Sequence, residues 1–455
     1  MHIHFIAIGG AAMHSLAIAL QQKGYTVTGS DDEIFDPARA QLLKAGLLPL
    51  RSGWFPDKIF RSTGAVVLGM HARKDNPELL RAQELGIRVY SYPEFLYRET
   101  KGKTRVVIAG SHGKTTITAM VMHVLKHTGF LFDYMAGSRL EGFDNMVRLE
   151  TQNKIAVFEG DEYLSSCMDP RPKFHLYQPH IALISGIAWD HINVFPTHEA
   201  YVNQFRIFIE NMPPRGCLVY CQDDPLLKSL VEAGNPQLLK LPYTTPEYRI
   251  EEDATMLISG GREYAMQVFG GHNMQNIMGA KLLCNQLGVK DEDFFRAVAT
   301  FRGAGKRLQL MGQKSKTAVF LDFAHSPSKV EATVKAVREQ YPGRKLVACL
   351  ELHTFSSLNR KFLGHYNHTL DPADKAAVFF DPQTILHKKL KMLSVEDVQK
   401  AFKKEDLQVF NKKDDLESFL EATDWENSIL LLMSSGNFSG IDFKIFAERI
   451  LLKIS

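Results

Sequence analysis

The run Arg105-Val106-Val107-Ile108-Ala109-Gly110-Ser111-His112-Gly113-Lys114-Thr115-Thr116 constrains this chain more than any other stretch. A short apolar strand leads through two glycines straight into a helical period. A strand buried on both faces belongs to a parallel sheet whose crossovers are helices, so the fold class is α/β. Glycine lets the backbone turn tightly enough for its N–H groups, with the helix amino terminus, to face an anion. Gly110, Ser111, His112 and Gly113 then form a phosphate cradle, followed by Thr116 in the helix. Lys114 reaches the β- and γ-phosphates, and the Thr115 hydroxyl holds Mg²⁺. ATP is the expected ligand. Ile108 stands where the general phosphate-loop pattern has its first glycine, and an ordinary glycine turn is the competing reading.

The same alternation of apolar runs and helical periods continues along all 455 residues. Strands are expected at 3–8, 26–30, 65–70 and 88–91, with helices at 13–23, 38–45 and from Pro77. A second block has strands at 105–109, 155–159, 181–185 and 218–221, and helices at 115–126, 272–287 and 291–301. A third has strands at 318–322, 346–350, 376–381 and 429–433. Three α/β domains follow, at 1–100, 101–305 and 306–455, with the charged stretch 97–103 as a linker and the glycine-rich stretch 301–307 as a joint. Lys and Arg number 54 against 51 Asp and Glu, a net +3 with both signs interspersed, which is no nucleic-acid footprint. No apolar run approaches the roughly 20 residues that span a bilayer. The five cysteines are scattered, and the opening MHIHFIAIGG has no basic leader region. A cytoplasmic location with reduced thiols is expected.

Two further groups of residues carry chemistry. Ile8-Gly9-Gly10-Ala11 lies between strand and helix, and Asp31 ends the next strand. That is the geometry of a dinucleotide or nucleotide-sugar site, with a tight βα turn and a polar strand end as the bland alternative. Glu159-Gly160-Asp161-Glu162-Tyr163 and Trp189-Asp190-His191 follow strands of the second block, where side chains point into the ligand crevice. Mg²⁺ takes oxygen ligands and keeps several waters, so one carboxylate plus phosphates suffices. Glu162 is the candidate, with His191 a less usual second ligand. Caps and hydrogen-bonded core groups are the alternative for both.

Gly110–Thr116, Asp161-Glu162, Asp190-His191, Gly271-His272-Asn273-Met274-Gln275-Asn276, Lys306-Arg307-Leu308 and Asp322-Phe323-Ala324-His325-Ser326-Pro327 together resemble the Mur ligase family. They occur in that family's order and cover nearly the whole chain, and the opening glycine turn resembles the muramate-binding branch. The resemblance implies a Rossmann-like UDP-sugar domain, a central P-loop ATPase-type parallel sheet and a Rossmann-like C-terminal domain. It implies an ATP-dependent ligase that joins the lactyl carboxylate of UDP-N-acetylmuramate to an amine through an acyl phosphate. Lys114, Glu162, His191 and Arg307 are then catalytic, with Thr115, Glu162 and His191 on Mg²⁺, or Mn²⁺ in its place. His272, Asn273 and Asn276 meet adenine, Asp322 the ribose, and His325 lines the same crevice. Gly9, Gly10, Ser30, Asp31, His71 and Asn76 hold the UDP-sugar. His353, Asn359 and Arg360 meet the amine. Because the ATP residues fall in two blocks, the domains are expected to close on ATP.

Two amine acceptors compete. Residues 161–174 and 433–440 look like family members that attach L-alanyl-γ-D-glutamyl-meso-diaminopimelate in cell-wall recycling. Members that add L-alanine in peptidoglycan biosynthesis are the alternative. The loop 350–359 lacks the arginine that both kinds carry there, and Gly186 and Ala188 replace polar residues usual in the family. A nicotinamide-dependent dehydrogenase would use the first glycine turn and leave Gly113-Lys114-Thr115-Thr116 idle. A nucleotide-binding regulator would bind ATP without turnover.

Overall fold

The computed structural model describes residues 1–189 and 194–454. Four parallel strands open the chain: β1 (His2–Ile6), β2 (Thr26–Ser30), β3 (Ala65–Leu68) and β4 (Val89–Ser91), in the order β2-β1-β3-β4. The next sheet holds β5 (Thr104–Ala109), β6 (Phe132–Met135), β7 (Val147–Arg148), β8 (Ile155–Glu159), β9 (Ile181–Ile184), β10 (Cys217–Cys221) and β11 (Leu239–Tyr243). Its order is β11-β10-β9-β5-β8-β6-β7, and only the edge pair β6 and β7 is antiparallel. The phosphate-loop strand therefore sits in the middle, with Val106, Val107 and Ile108 wholly buried.

An antiparallel ribbon follows, made of β12 (Tyr248–Glu251), β13 (Ala254–Ser259) and β14 (Arg262–Met266). The last sheet contains β15 (Gln309–Lys314), β16 (Thr317–Asp322), β17 (Lys345–Leu352), β18 (Lys375–Phe380), β19 (Gln408–Phe410) and β20 (Ser428–Met433). Its order is β15-β16-β20-β17-β18-β19, parallel except for the β15 edge. Two compact units carry the four sheets. The first comprises Met1–Trp189, Pro196–Thr244 and Asn276–Val298, and so holds both of the first two sheets. The second includes Thr245–Gln275 and the chain from Ala299 onward.

The structure departs from the sequence expectations in local ways. β1 stops at Ile6 because Ala7, with φ +66°, already begins the turn. The charged stretch 97–103 is no open linker. Helix Tyr92–Glu99 runs into it, started by a capping box between Ser91 and Glu94 and anchored by buried Phe95 and Leu96. Thr100 is buried behind it and donates to Leu96 O at 2.7 Å. The ribbon and the antiparallel edges were not expected. Among the described residues no helix is long and apolar enough to cross a membrane.

Candidate active site

The carboxyl end of β5 lies between those of β8 and β9, and the glycine loop is stitched to both neighbours. Gly160 N–H donates to Ile108 O at 2.7 Å, and Ser111 N–H donates to Gly186 O at 2.9 Å. Ser111 Oγ accepts from Ala188 N–H at 3.0 Å. Helix Lys114–His127 begins immediately behind Gly113, with no side chain capping its amino terminus. Its first backbone N–H groups are thus left to an outside acceptor.

Acidic side chains hold the two residues that follow the loop. Lys114 Nζ lies 2.8 Å from Glu162 Oε2, whose side chain is 1% exposed, and also donates to Gly110 O. Tyr201 OH donates to Glu162 Oε1 at 3.3 Å. Thr115 Oγ1 donates to Glu159 Oε1 at 2.7 Å, and Gly137 N–H donates to Glu159 Oε2 at 2.7 Å. Burial pulls the Lys114 ammonium down, but Glu162 first, then Asp161 and Glu159, lift it above the usual lysine value. Lys114 is therefore a fully charged cation beside an uncapped helix end.

Glu159 is the residue that sequence reading left out of the site. Its position as the last residue of an apolar strand was visible, but its contact with Thr115 depends on β8 pairing with β5, where Glu159 stands opposite Ile108. Asp161 pairs with Lys173 at 2.6 Å. Asp190 and His191, the latter named as catalytic and metal-binding, lie outside the described residues. Among the described residues no three His, Cys, Asp or Glu side chains are grouped to hold a metal.

The first sheet gathers Gly9, Gly10, Ser30 and Asp31 at the carboxyl ends of β1 and β2. Gly9 N–H donates to Asp31 Oδ2 at 2.7 Å. Burial pushes the Asp31 carboxyl up to about 6, against the lowering effect of that N–H. Ser30 is wholly buried, and its Oγ accepts from Lys58 Nζ at 2.9 Å. His71 is exposed beyond β3. Asn76 is buried and caps helix Pro77–Glu84, accepting from Glu78 N–H at 2.9 Å and Leu79 N–H at 3.2 Å.

In the second unit Asp322 ends β16 buried, its oxygens accepting from Leu308 N–H and Ala324 N–H, both at 2.7 Å. Burial lowers His272, opposed by the charge of Asp322. The Arg307 guanidinium stacks 4.5 Å over the Phe323 ring, and His325 Nδ1–H donates to Phe323 O at 2.8 Å. Asn273 Nδ2 donates to Phe269 O at 2.9 Å. Asn276, in the first unit, lies against Gly113 of the phosphate loop.

The amine residues divide. β17 and β20 are neighbours, and the chain leaves β17 towards β18 but leaves β20 by helix Phe443–Leu452, which packs on β15 and β16. Such a reversal opens a ligand crevice at the carboxyl ends. His353 sits there, 3.8 Å from Glu351 Oε1. Glu351, 2% exposed, accepts from Phe438 N–H at 2.9 Å and from the Ser434 hydroxyl. Asn359 instead caps helix Arg360–Leu363, and Arg360 pairs with Asp397.

Comparison with known proteins bears on the whole chain. Residues 2–104 match the Mur ligase family catalytic domain, 108–284 the Mur ligase middle domain and 306–436 the Mur ligase glutamate ligase domain. A UDP-N-acetylmuramate–L-alanine ligase of Arthrobacter sp. is 32% identical over 393 residues, which is 83% of this chain and 80% of that one. The chain belongs to the Mur ligase family. This Mur ligase is accordingly an ATP-dependent enzyme that forms an amide bond. The UDP-N-acetylmuramate–alanine ligase of Thermotoga maritima shares its fold with a TM-score of 0.73 at 23% identity, covering 100% of this chain and 98% of that one. A murein peptide ligase of Psychrobacter arcticus does so with a TM-score of 0.67 at 22% identity, covering 100% and 99%. At these identities the structural likenesses establish the shared three-domain fold alone.

Proposed function

We propose that this Mur ligase joins the lactyl carboxylate of UDP-N-acetylmuramate to the amine of a peptide or amino acid, with ATP cleaved to ADP and phosphate. The observation that carries the ATP half is Lys114 at the uncapped start of its helix, charged and backed by Glu162. A carboxylate does not release oxide to an amine, so its oxygen must first take the γ-phosphoryl group. ADP leaves in that step. The amine then attacks the acyl carbon, phosphate leaves and the nitrogen loses a proton. Lys114 and the loop N–H groups hold the β- and γ-phosphates in line for the first step. Arg307 adds a second cation for phosphoryl charge. His272, Asn273 and Asn276 are assigned to adenine, Asp322 to the ribose and His325 to the crevice wall.

The donor set at the loop suits a hard cation: Thr115 Oγ1, Glu159 and Glu162 offer only oxygen. Mg²⁺ there, or Mn²⁺, would be held by Thr115 and Glu162, with Glu159 behind the threonine and His191 as the proposed ligand of a second ion. Such ions neutralise phosphate charge when bound.

The acceptor in this reading is the recycling tripeptide, supported by residues 161–174. That segment closes on itself, with Ser165 N–H donating to Arg171 O at 3.0 Å and Arg171 paired to Asp169 at 2.7 Å. L-alanine is the second reading, favoured by the names of curated relatives such as those of Arthrobacter sp. and Desulforamulus reducens, the latter 31% identical over 376 residues. Phosphate release by the purified protein, given ATP, Mg²⁺ and UDP-N-acetylmuramate, decides between them. Turnover with tripeptide alone supports recycling, turnover with alanine supports biosynthesis, and turnover with neither removes both acceptors.

Asp31 adds a pH dependence. Burial pushes its carboxyl up to about 6, so as a carboxylate above that pH it accepts strong hydrogen bonds from a ribose, and as a neutral acid below it accepts them more weakly. The KM for the sugar nucleotide is expected to rise several-fold from pH 7 to pH 5 while the KM for ATP stays level, and Asp31→Asn should flatten the profile. Stability runs the other way. A raised folded pKa favours the protonated folded state, so this contribution is present below the unfolded value and is lost as pH rises through about 6. A sugar-nucleotide KM that ignores pH over this range would remove Asp31 from the site.

A further inference from the structure

One face of the first sheet carries polar groups where a core would normally be apolar. His4 Nε2 lies 3.1 Å from Glu78 Oε2, both side chains fully buried, and Thr28 Oγ1 lies 2.8 Å from His4 Nδ1. Buried polar groups are kept only where their partners are satisfied. The other carboxylate oxygen of Glu78 accepts from Phe55 N–H at 2.7 Å. That bond fixes the start of the short turn Pro56–Lys58 against the sheet. Asn76, by capping the helix that carries Glu78, holds the other side of the same contact.

The result is a cation placed on the carboxyl end of β2. Lys58 Nζ donates to Gly29 O and to Ser30 Oγ, both at 2.9 Å. Ser30 O in turn accepts from Ala7 N–H at 2.9 Å and Ile8 N–H at 3.1 Å, so β2 and the first glycine turn form one bonded edge. An ammonium has three protons; two are used here, and Nζ also lies 4.8 Å over the centre of the Phe55 ring. The sequence that continues this edge is Asp31-Asp32-Glu33, three acids where a diphosphate would approach. Apart from its lactyl carboxylate, the charge of a UDP-sugar resides in its diphosphate. An edge with only the glycine turn and these acids would repel it.

We infer that Lys58 is a ligand-contacting residue of the sugar-nucleotide site, supplying the positive charge that selects the diphosphate over an uncharged nucleoside. This rests on the first sheet being the sugar-nucleotide site. Nothing in the local sequence marks Lys58, because the residues that aim it are Glu78, Ser30 and Gly29, far away along the chain.

The test is calorimetric titration of the full chain with UDP and with uridine, for the unaltered protein and for Lys58→Met and Lys58→Arg. Removing one charge-assisted hydrogen bond should weaken UDP about 10-fold or more in Lys58→Met, with uridine changed less than about two-fold. Lys58→Arg should keep most of the preference for UDP. ATP binding and the thermal midpoint, read on the same samples, should show that the variants are folded. Equal losses for UDP and uridine would mean that Lys58 only braces β2, and would overturn the inference. An unaltered protein that binds UDP well, with a Lys58→Met variant of the same preference, overturns the Lys58 assignment alone. An unaltered protein that binds neither removes the sugar-nucleotide reading, and Lys58 with it.

Discussion

Lys114→Met is expected to cut phosphate release about 10³-fold and to destabilise the protein by about 3–5 kcal/mol, the usual cost of breaking a buried ion pair on one side. The two effects have different origins. Glu162 is 1% exposed and lies 2.8 Å from Lys114 Nζ, so deleting the lysine removes the cation bonded to a buried carboxylate, while Tyr201 OH still donates to it. Loss of the phosphate cation lowers kcat by about 10³-fold, in line with removing a donor aimed at developing charge. The double variant Lys114→Met/Glu162→Gln separates the two. Neutralising the carboxylate that Lys114 balanced should restore part of the lost stability, measured by urea unfolding, while activity stays low. A double variant that recovers activity would show that the lysine braces Glu162 and does not hold phosphate. A single variant as stable as the unaltered protein would mean that Glu162 finds another counter-charge once Lys114 is gone.

How far the sequence could be read depended on how local each signal is. The phosphate loop was legible because its glycines, Lys114 and Thr115 are consecutive and sit between a strand and a helix. Glu159 was not, since its contact with Thr115 exists only once β8 lies against β5 in register. Asn76 and Asn359 show the opposite case. Each was read towards a ligand, yet Asn76 precedes Pro-Glu and Asn359 precedes Arg-Lys, and both side chains cap the helix that follows. The capping signal was present and was outweighed by proximity to a motif. Arg360 was similarly read towards the amine, and its partner Asp397 could not be found without the fold. The ribbon β12–β14 had its own marker, Gly260-Gly261 between two short runs. Both glycines have positive φ, as a two-residue hairpin turn requires.

Gly110→Ala should be strongly damaging to the phosphate loop, and Gly113→Ala much milder. Gly110 has φ +121°, outside the regions an alanine adopts at low cost, whereas Gly113 at φ +73° is in the left-handed region that other residues visit. The surroundings differ in the same direction. A Cβ on Gly110 would lie 2.7 Å from Ser185 N and 3.1 Å from Gly186 O, both backbone atoms of the segment that anchors Ser111. The three atoms nearest a Cβ on Gly113 all belong to the Asn276 amide, Oδ1 first, and that side chain can rotate. Backbone strain and overpacking together put Gly110→Ala at about 2–6 kcal/mol. Movement of Ser185 would also displace the loop N–H groups from the phosphate. ATP affinity is therefore expected to fall by about 100-fold or more in Gly110→Ala, and by about 10-fold or less in Gly113→Ala. Nucleotide titration alongside thermal unfolding checks both. If Gly113→Ala proves the worse of the two for ATP, displacement of the Asn276 amide assigned to adenine, rather than of the loop backbone, limits binding.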